Sequence, residues 1–197
     1  MTRGSATRKA DHSIDALFLD RWSPRALSGE ALGEEELLQL LEAARWTPSS
    51  GNFQPWRFLY ARRDTPFWPE FLGLVVPANR SWADRAGALV LLLSRTHLDD
   101  GRPCLTHSFD TGAAWMSLAL QAQLRGLVAH GIQGFDYEGA RRLLRVPDGY
   151  AVEAMAVLGR PGDPALLSES QRAREVPNSR RPLSQSACEG PFTLPEA

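Results

Sequence analysis

The stretch from Asp110 to Arg125 constrains the fold of this chain more than any other. Read as a helix, it carries Ala113, Trp115, Met116, Leu118, Ala119, Leu120, Ala122 and Leu124 on nearly every side. A surface helix shows one apolar stripe, whereas a helix that is apolar all round has to be buried. A chain of 197 residues holds one core of moderate size. A contact between two copies of the chain is therefore the natural place to bury part of this helix. The run Ala88–Ser94 (ALVLLLS) adds a second constraint, because a continuous apolar run of strand length suits a strand covered on both faces. Both apolar segments, Ala88–Leu93 and Ala113–Ala122, fall short of the roughly 20 residues that a membrane span needs.

Around these two elements the pattern predicts strands at Trp56–Ala61 and Ala154–Gly159. It predicts helices at Ile14–Asp20, with Leu17 and Phe18 turned inward, at Gly33–Trp46 and at Tyr137–Leu144. Glu34, Glu35 and Glu36 open the second helix, where the macrodipole favours acid. The dense turn cluster from Thr47 to Asn52 ends it. Phe67–Val75 is helical by length but interrupted by Pro69. Residues 1 to about 13 read as a disordered lead-in, and residues 14–197 as one domain with a polar C-terminal tail. Strands separated by unequal helices indicate an α+β fold.

Composition narrows the function. A formal net charge of −1 gives no electrostatic reason to expect a nucleic acid or a membrane surface as partner. Cys104 and Cys188 lie far apart and outside any C-x-x-C pair, which fits a reducing compartment. The N-terminus has no apolar stretch for a signal peptide, so the expected location is the cytoplasm. His12, His97, His107 and His130 show no metal-ligand spacing, and no Ser/His/acid set or G-x-S-x-G turn is present.

Three clusters carry chemistry, and each has a plainer alternative. In Arg21-Trp22-Ser23-Pro24-Arg25, two guanidiniums and a hydroxyl at alternate positions can converge on one phosphate; the alternative is a solvated basic turn. Lys9 is the only lysine in an arginine-rich chain, which favours that alternative for the stretch taken alone. In Pro48-Ser49-Ser50-Gly51-Asn52-Phe53-Gln54-Pro55-Trp56, uncharged donors and acceptors suit the edge of a neutral heterocycle; the alternative is a helix C-cap and turn. In the stretch Gly126–Asp136, three glycines allow close backbone approach to a flat ligand; the alternative is a connecting loop. Those glycines follow no phosphate-cradling pattern of dinucleotide or nucleoside triphosphate sites.

Taken together these blocks resemble the nitroreductase family. The resemblance runs through R-x-S-x-R, EAARWTPSSGNFQPWRF, Asn79 with Trp82, GLVAHGIQGFD, the Gly159-Arg160 strand end and SRRPL near the C-terminus. It implies a central, mostly antiparallel sheet flanked by helices, in an intertwined homodimer. Arg21, Ser23 and Arg25 would hold the FMN phosphate and ribityl chain, Arg25 also lying near the pyrimidine edge. Asn79 would bond the flavin or ribityl from the same subunit. Pro48, Ser49, Ser50 and Asn52 would reach the ring from the partner, and Gln133 and Gly134 would lie near its N5. Arg180, with Arg181 as the alternative, would return to the phosphate. Gln133 stands where many members have Glu, and Asn178 where some have Lys.

The function this implies is FMN-dependent, NAD(P)H-using oxidoreduction. Hydride would pass by a ping-pong scheme to a nitroaromatic, a quinone or a related small acceptor, with no obligatory catalytic side chain and with Arg25 and Gln133 tuning the flavin. The alternatives are a non-catalytic flavin store or sensor, and the same fold with different ring chemistry.

Overall fold

The computed structural model describes residues 2–195. Met1 of the expected lead-in, and Glu196 and Ala197 of the expected domain, lie outside the described residues. Four strands build one sheet in the order β1-β2-β4-β3: β1 Trp56–Arg62, β2 Ala88–Arg95, β3 Val128–Ile132 and β4 Tyr150–Gly159. Every neighbouring pair is antiparallel, and β2 and β4 slip register between Leu92 and Leu93. Seven helices flank the sheet among the described residues. They are α1 Ala16–Asp20, α2 Glu34–Arg45, α3 Trp68–Leu74, α4 Pro77–Ala83, α5 His107–Leu124, α6 Tyr137–Leu143 and α7 Glu169–Arg172.

The apolar run of β2 is covered on both faces, as its composition requires. Side chains alternate across a strand, so Leu89, Leu91 and Leu93 enter one core with Phe71, Val75 and Trp82. Ala88, Val90 and Leu92 enter the other with Leu37 and Leu40 of α2 and Ala114, Leu118 and Ala122 of α5. The alanines of α5 let the two helices approach closely, and Leu118 is fully buried between them. Truncating it to Ala would cost about 2–5 kcal/mol. Phe67–Val75 resolves as a helix from Trp68 because Pro69 falls in the first turn, where its missing N–H costs nothing.

One expectation is corrected. Phe18 does not turn inward; it is half exposed, because α1 is a short helix with no buried residue. Val128–Ile132, to which the sequence pattern assigns no strand, is edge strand β3, paired to β4 from Val128↔Gly159 to Ile132↔Met155. The helix α5, as its pattern leads one to expect, is not covered all round within one chain. Its buried side is Ala114, Leu118, Ala119 and Ala122, and Trp115 and Met116 are half-buried. Phe109 and Leu124 stand in the open at 78% and 66% exposure.

The N-terminal segment expected to be disordered has tertiary partners that local sequence patterns do not reveal. A 3-10 turn at Gly4–Ala6 lies against α1, the Ser5 N–H donates to Asp20 Oδ1 at 2.9 Å, and the Trp22 indole N–H donates to the Thr2 carbonyl at 3.0 Å. At the far end of the chain, the Leu183 N–H donates to Asp11 Oδ2 at 2.6 Å. The tail thereby meets the N-terminal segment.

Candidate functional site

Helix α1 ends at Asp20, with Arg21 already extended as its C-cap, and Pro24 keeps Ser23 from helical geometry in the stretch that follows. The next five residues lie in an extended loop. That loop is held from behind by Glu175, whose carboxylate accepts the backbone N–H of Arg25 at 2.8 Å and of Ala26 at 2.8 Å. Anchoring the backbone in this way frees the side chains of Arg21, Ser23 and Arg25 to face a cavity of about 670 Å³, to which Arg8, Arg174 and Arg180 also contribute. No carboxylate is among its lining residues. Arg21 donates to the Ser23 hydroxyl at 3.3 Å. Burial, with the charges of Arg8 and Arg180 added to it, holds the Arg21 guanidinium below its ordinary pKa. Five guanidiniums in a cavity wall that contains no carboxylate repel one another, and an anion between them offsets that cost.

A second cavity of about 400 Å³ shares Arg21, Ser23 and Arg180 with the first, and is walled by Phe18, Trp115, Met116, Ala119 and Gly131. One end is cationic and the other apolar and aromatic. The exposure of Phe18 thus has a local meaning, since it forms part of this wall. Gly131 serves the wall by its small size: a side chain there would press on the Trp115 indole, 3.1 Å from the added Cβ.

Asn79, Gln133 and Gly134 form a separate group. Asn79 on α4 donates to the Gly134 carbonyl at 3.4 Å, and a Cβ on Gly134 would collide with the Asn79 amide. Gln133 is exposed. None of the three lines either arginine cavity, but Trp82 of α4 connects the groups. Its ring lies 6.0 Å from the Arg25 guanidinium carbon and 4.6 Å from the His130 ring.

The Pro48–Asn52 segment stands elsewhere, and lines neither cavity. Thr47 and Ser117 share a hydroxyl bond of 2.7 Å, the Ser50 N–H donates to buried Asp110 at 3.3 Å, and the Gln54 N–H donates to Ser49 Oγ at 3.0 Å. Gly51, Asn52 and Gln54 all have positive φ, and Pro48, Ser50 and Asn52 are exposed on the surface.

The structure therefore brings Arg21, Ser23, Arg25 and Arg180 together, pairs Asn79 with Gly134 beside Gln133, and leaves Pro48, Ser49, Ser50 and Asn52 apart within one chain. Arg181 does not line the arginine cavity. Sequence reasoning missed Arg8, Arg174, Glu175 and His130. The His130 Nδ1–H donates to the Pro24 carbonyl at 2.9 Å; a carbonyl only accepts, so Nδ1 carries the proton. Burial is the main reason its pKa falls to about 4, helped by the charges of Arg25 and Arg21 and opposed by the Pro24 bond. Among the described residues no group of His, Cys, Asp and Glu is placed to hold a metal ion, and no helix is long and apolar enough to cross a membrane.

Comparison with known proteins places this arrangement. A family model described as the nitroreductase family matches residues 19–80, a stretch that spans the arginine loop, the Pro48–Asn52 segment and Asn79. An uncharacterised 15.4 kDa protein in the ask 5' region of Mycolicibacterium smegmatis is 36% identical over 124 residues, covering 62% of this chain and 82% of that one. A crystal structure of an oxidoreductase containing FMN is 45% identical and superposes with a TM-score of 0.94, over 99% of this chain and 100% of its own. A nitroreductase of Desulfovibrio desulfuricans solved in complex with FMN is 26% identical, with a TM-score of 0.70 over 89% of this chain and 95% of its own.

Proposed function

The chain belongs to the nitroreductase family, and on that premise we propose that it is an FMN-dependent NAD(P)H oxidoreductase working as a cytoplasmic homodimer. The observation that carries the reading is the acid-free arginine cavity joined through Arg21, Ser23 and Arg180 to an aromatic-walled one. A phosphate monoester on a hydroxylated chain, attached to a flat ring, matches that succession of surfaces. The FMN-containing relative that aligns over the whole chain supports the same cofactor.

In this reading Arg21, Ser23 and Arg180 bind the phosphate with charge-assisted hydrogen bonds. Arg25, its backbone fixed by Glu175, presents a positive charge to the edge of the ring and favours the reduced form electrostatically. Asn79 and the Gln133-Gly134 backbone offer polar groups to the ring from the same chain. Bound there, FMN would supply the hydride transfer between NAD(P)H and a nitroaromatic, quinone or related acceptor. The protein's task is to bind, orient and tune, with no side chain required as acid or base.

What one chain leaves uncovered supports the second subunit. Leu105 is 91% exposed and Trp46 75%, and with Phe109 and Phe53 they put apolar surface on and beside α5. Exposed apolar area of this kind marks an association surface. The Pro48–Asn52 segment, packed on α5 by Thr47, Ser50 and Asp110 but outside its own chain's cavities, is then available to a site on the partner.

The purified protein should release FMN on denaturation, identified by chromatography against FMN and FAD standards. Release of FAD, or no flavin even after reconstitution with FMN, would overturn the proposal.

A further inference from the structure

We infer that Arg8, near the start of the chain, is a phosphate-binding residue that clamps the two walls of the flavin site together. The inference rests on the flavin reading above and adds to it a residue outside the family's motifs. Its side chain is half-buried in the wall of the arginine cavity. Nε donates to the Asn178 carbonyl at 2.7 Å, and Nη1 donates to the carbonyls of Leu19 at 2.7 Å and Arg21 at 2.8 Å. One guanidinium therefore joins the end of α1, which leads into the Arg21–Arg25 loop, to the tail that carries Arg180. These two walls are more than 150 residues apart in sequence.

The clamp is also a charge. Nη2 makes no hydrogen bond to any described residue, and the nearby carboxylate of Asp20 is engaged by the Ser5 N–H. A planar guanidinium with three of its five N–H groups fixed by carbonyls is already oriented, so the two N–H groups of Nη2 bind an anion at little further entropic cost. The Asn178 backbone receives Arg8, so this cation reaches the tail's side of the cavity from the opposite end of the chain.

The test is a comparison of FMN with riboflavin, which lacks the phosphate, by fluorescence titration of flavin-free protein. Arg8→Gln should weaken FMN by about 10-fold to 100-fold, the range of a charge-assisted contact, and change riboflavin by less than 2-fold. Arg8→Lys, which keeps the charge, should retain part of the preference for FMN. Equal loss for both flavins, no loss for either, or a lysine variant as deficient as the glutamine variant would overturn the inference. If Arg8→Gln does not fold, Arg8→Lys against wild type decides alone: a smaller FMN preference supports the assignment and an unchanged one refutes it. Should the wild-type protein bind neither flavin, the flavin reading falls. Arg8 is then judged with inorganic phosphate, where binding lost in Arg8→Gln supports the assignment and binding unchanged refutes it.

Discussion

His130 is held neutral by its surroundings, and that gives the fold a specific dependence on pH. Its ring is packed on Trp82, bonded to the Pro24 carbonyl and flanked by Arg25 and Arg21. Above about pH 6.5 the imidazole is neutral whether the chain is folded or not. Between 6.5 and about 4 the unfolded chain takes up a proton that the folded one refuses. Stability is therefore fully present above 6.5 and declines as the pH falls toward 4, by about 1–3 kcal/mol from this residue. Denaturant titrations of the wild type should show the decline already between pH 6.5 and 5, before most carboxylates titrate. His130→Gln keeps a donor for Pro24 and cannot ionise, so its stability should be flat in that window. A wild type with no decline there, or a variant with the same slope, would mean that the imidazole is not what the pH acts on. The same residue explains a limit of pattern reading. A histidine's role is set by what folds around it, and Pro24, Trp82 and Arg25 lie far from it in sequence.

At the scale of elements, the join between the Pro48–Asn52 segment and α5 depends on one buried acid. Asp110 is almost fully buried in the first turn of α5, where the macrodipole favours its charge. It accepts the Thr106 hydroxyl at 2.9 Å and the Ser50 N–H at 3.3 Å. Asp110→Ala leaves both donors without an acceptor and should cost about 1–3 kcal/mol, read as a shifted urea midpoint with the slope unchanged. A loss below about 0.5 kcal/mol would mean that the segment is held by other contacts. How legible each element was in sequence follows from the same kind of local chemistry. The strand β2 and helix α2 were readable because their apolar periods are long and unbroken. The helix α4 was not, since Pro77-Ala78-Asn79-Arg80 opens it with turn-forming residues and only Trp82 and Ala83 are buried. The strand β3 was hidden by Gly131 within five residues, and is held in place by β4 on one side only. The arginines of the loop were visible as a motif, whereas Arg8 and Glu175 reach the site through carbonyl and N–H contacts that leave no spacing to find.

On the scale of the whole molecule, association turns on which apolar residue is exposed for its own chain's purposes and which is not. Met116 is a poor probe, because it is half-buried and walls the aromatic cavity. A charge there would disturb the fold, the cavity and any interface at once. Phe109 separates these effects. It lies in the first turn of α5, is 78% exposed, and lines neither cavity, so within one chain its replacement removes little packing. Surface substitutions of that kind usually change stability by about 0.5 kcal/mol or less. If α5 packs against a second copy, Phe109→Asp instead places a charge in a desolvated contact, which is expensive unless paired. The variant should keep its far-ultraviolet circular dichroism, sediment as a monomer at concentrations where the wild type is a dimer, and lose FMN in the same range. The last effect follows from linkage: a ligand held by residues of both chains binds the dimer and so depends on it. Sedimentation velocity followed at the flavin absorbance measures both together. A Phe109→Asp protein that remains dimeric would show that this face of α5 is not the contact. A folded monomer with one FMN per chain would show that Pro48, Ser49, Ser50 and Asn52 are not needed from a partner.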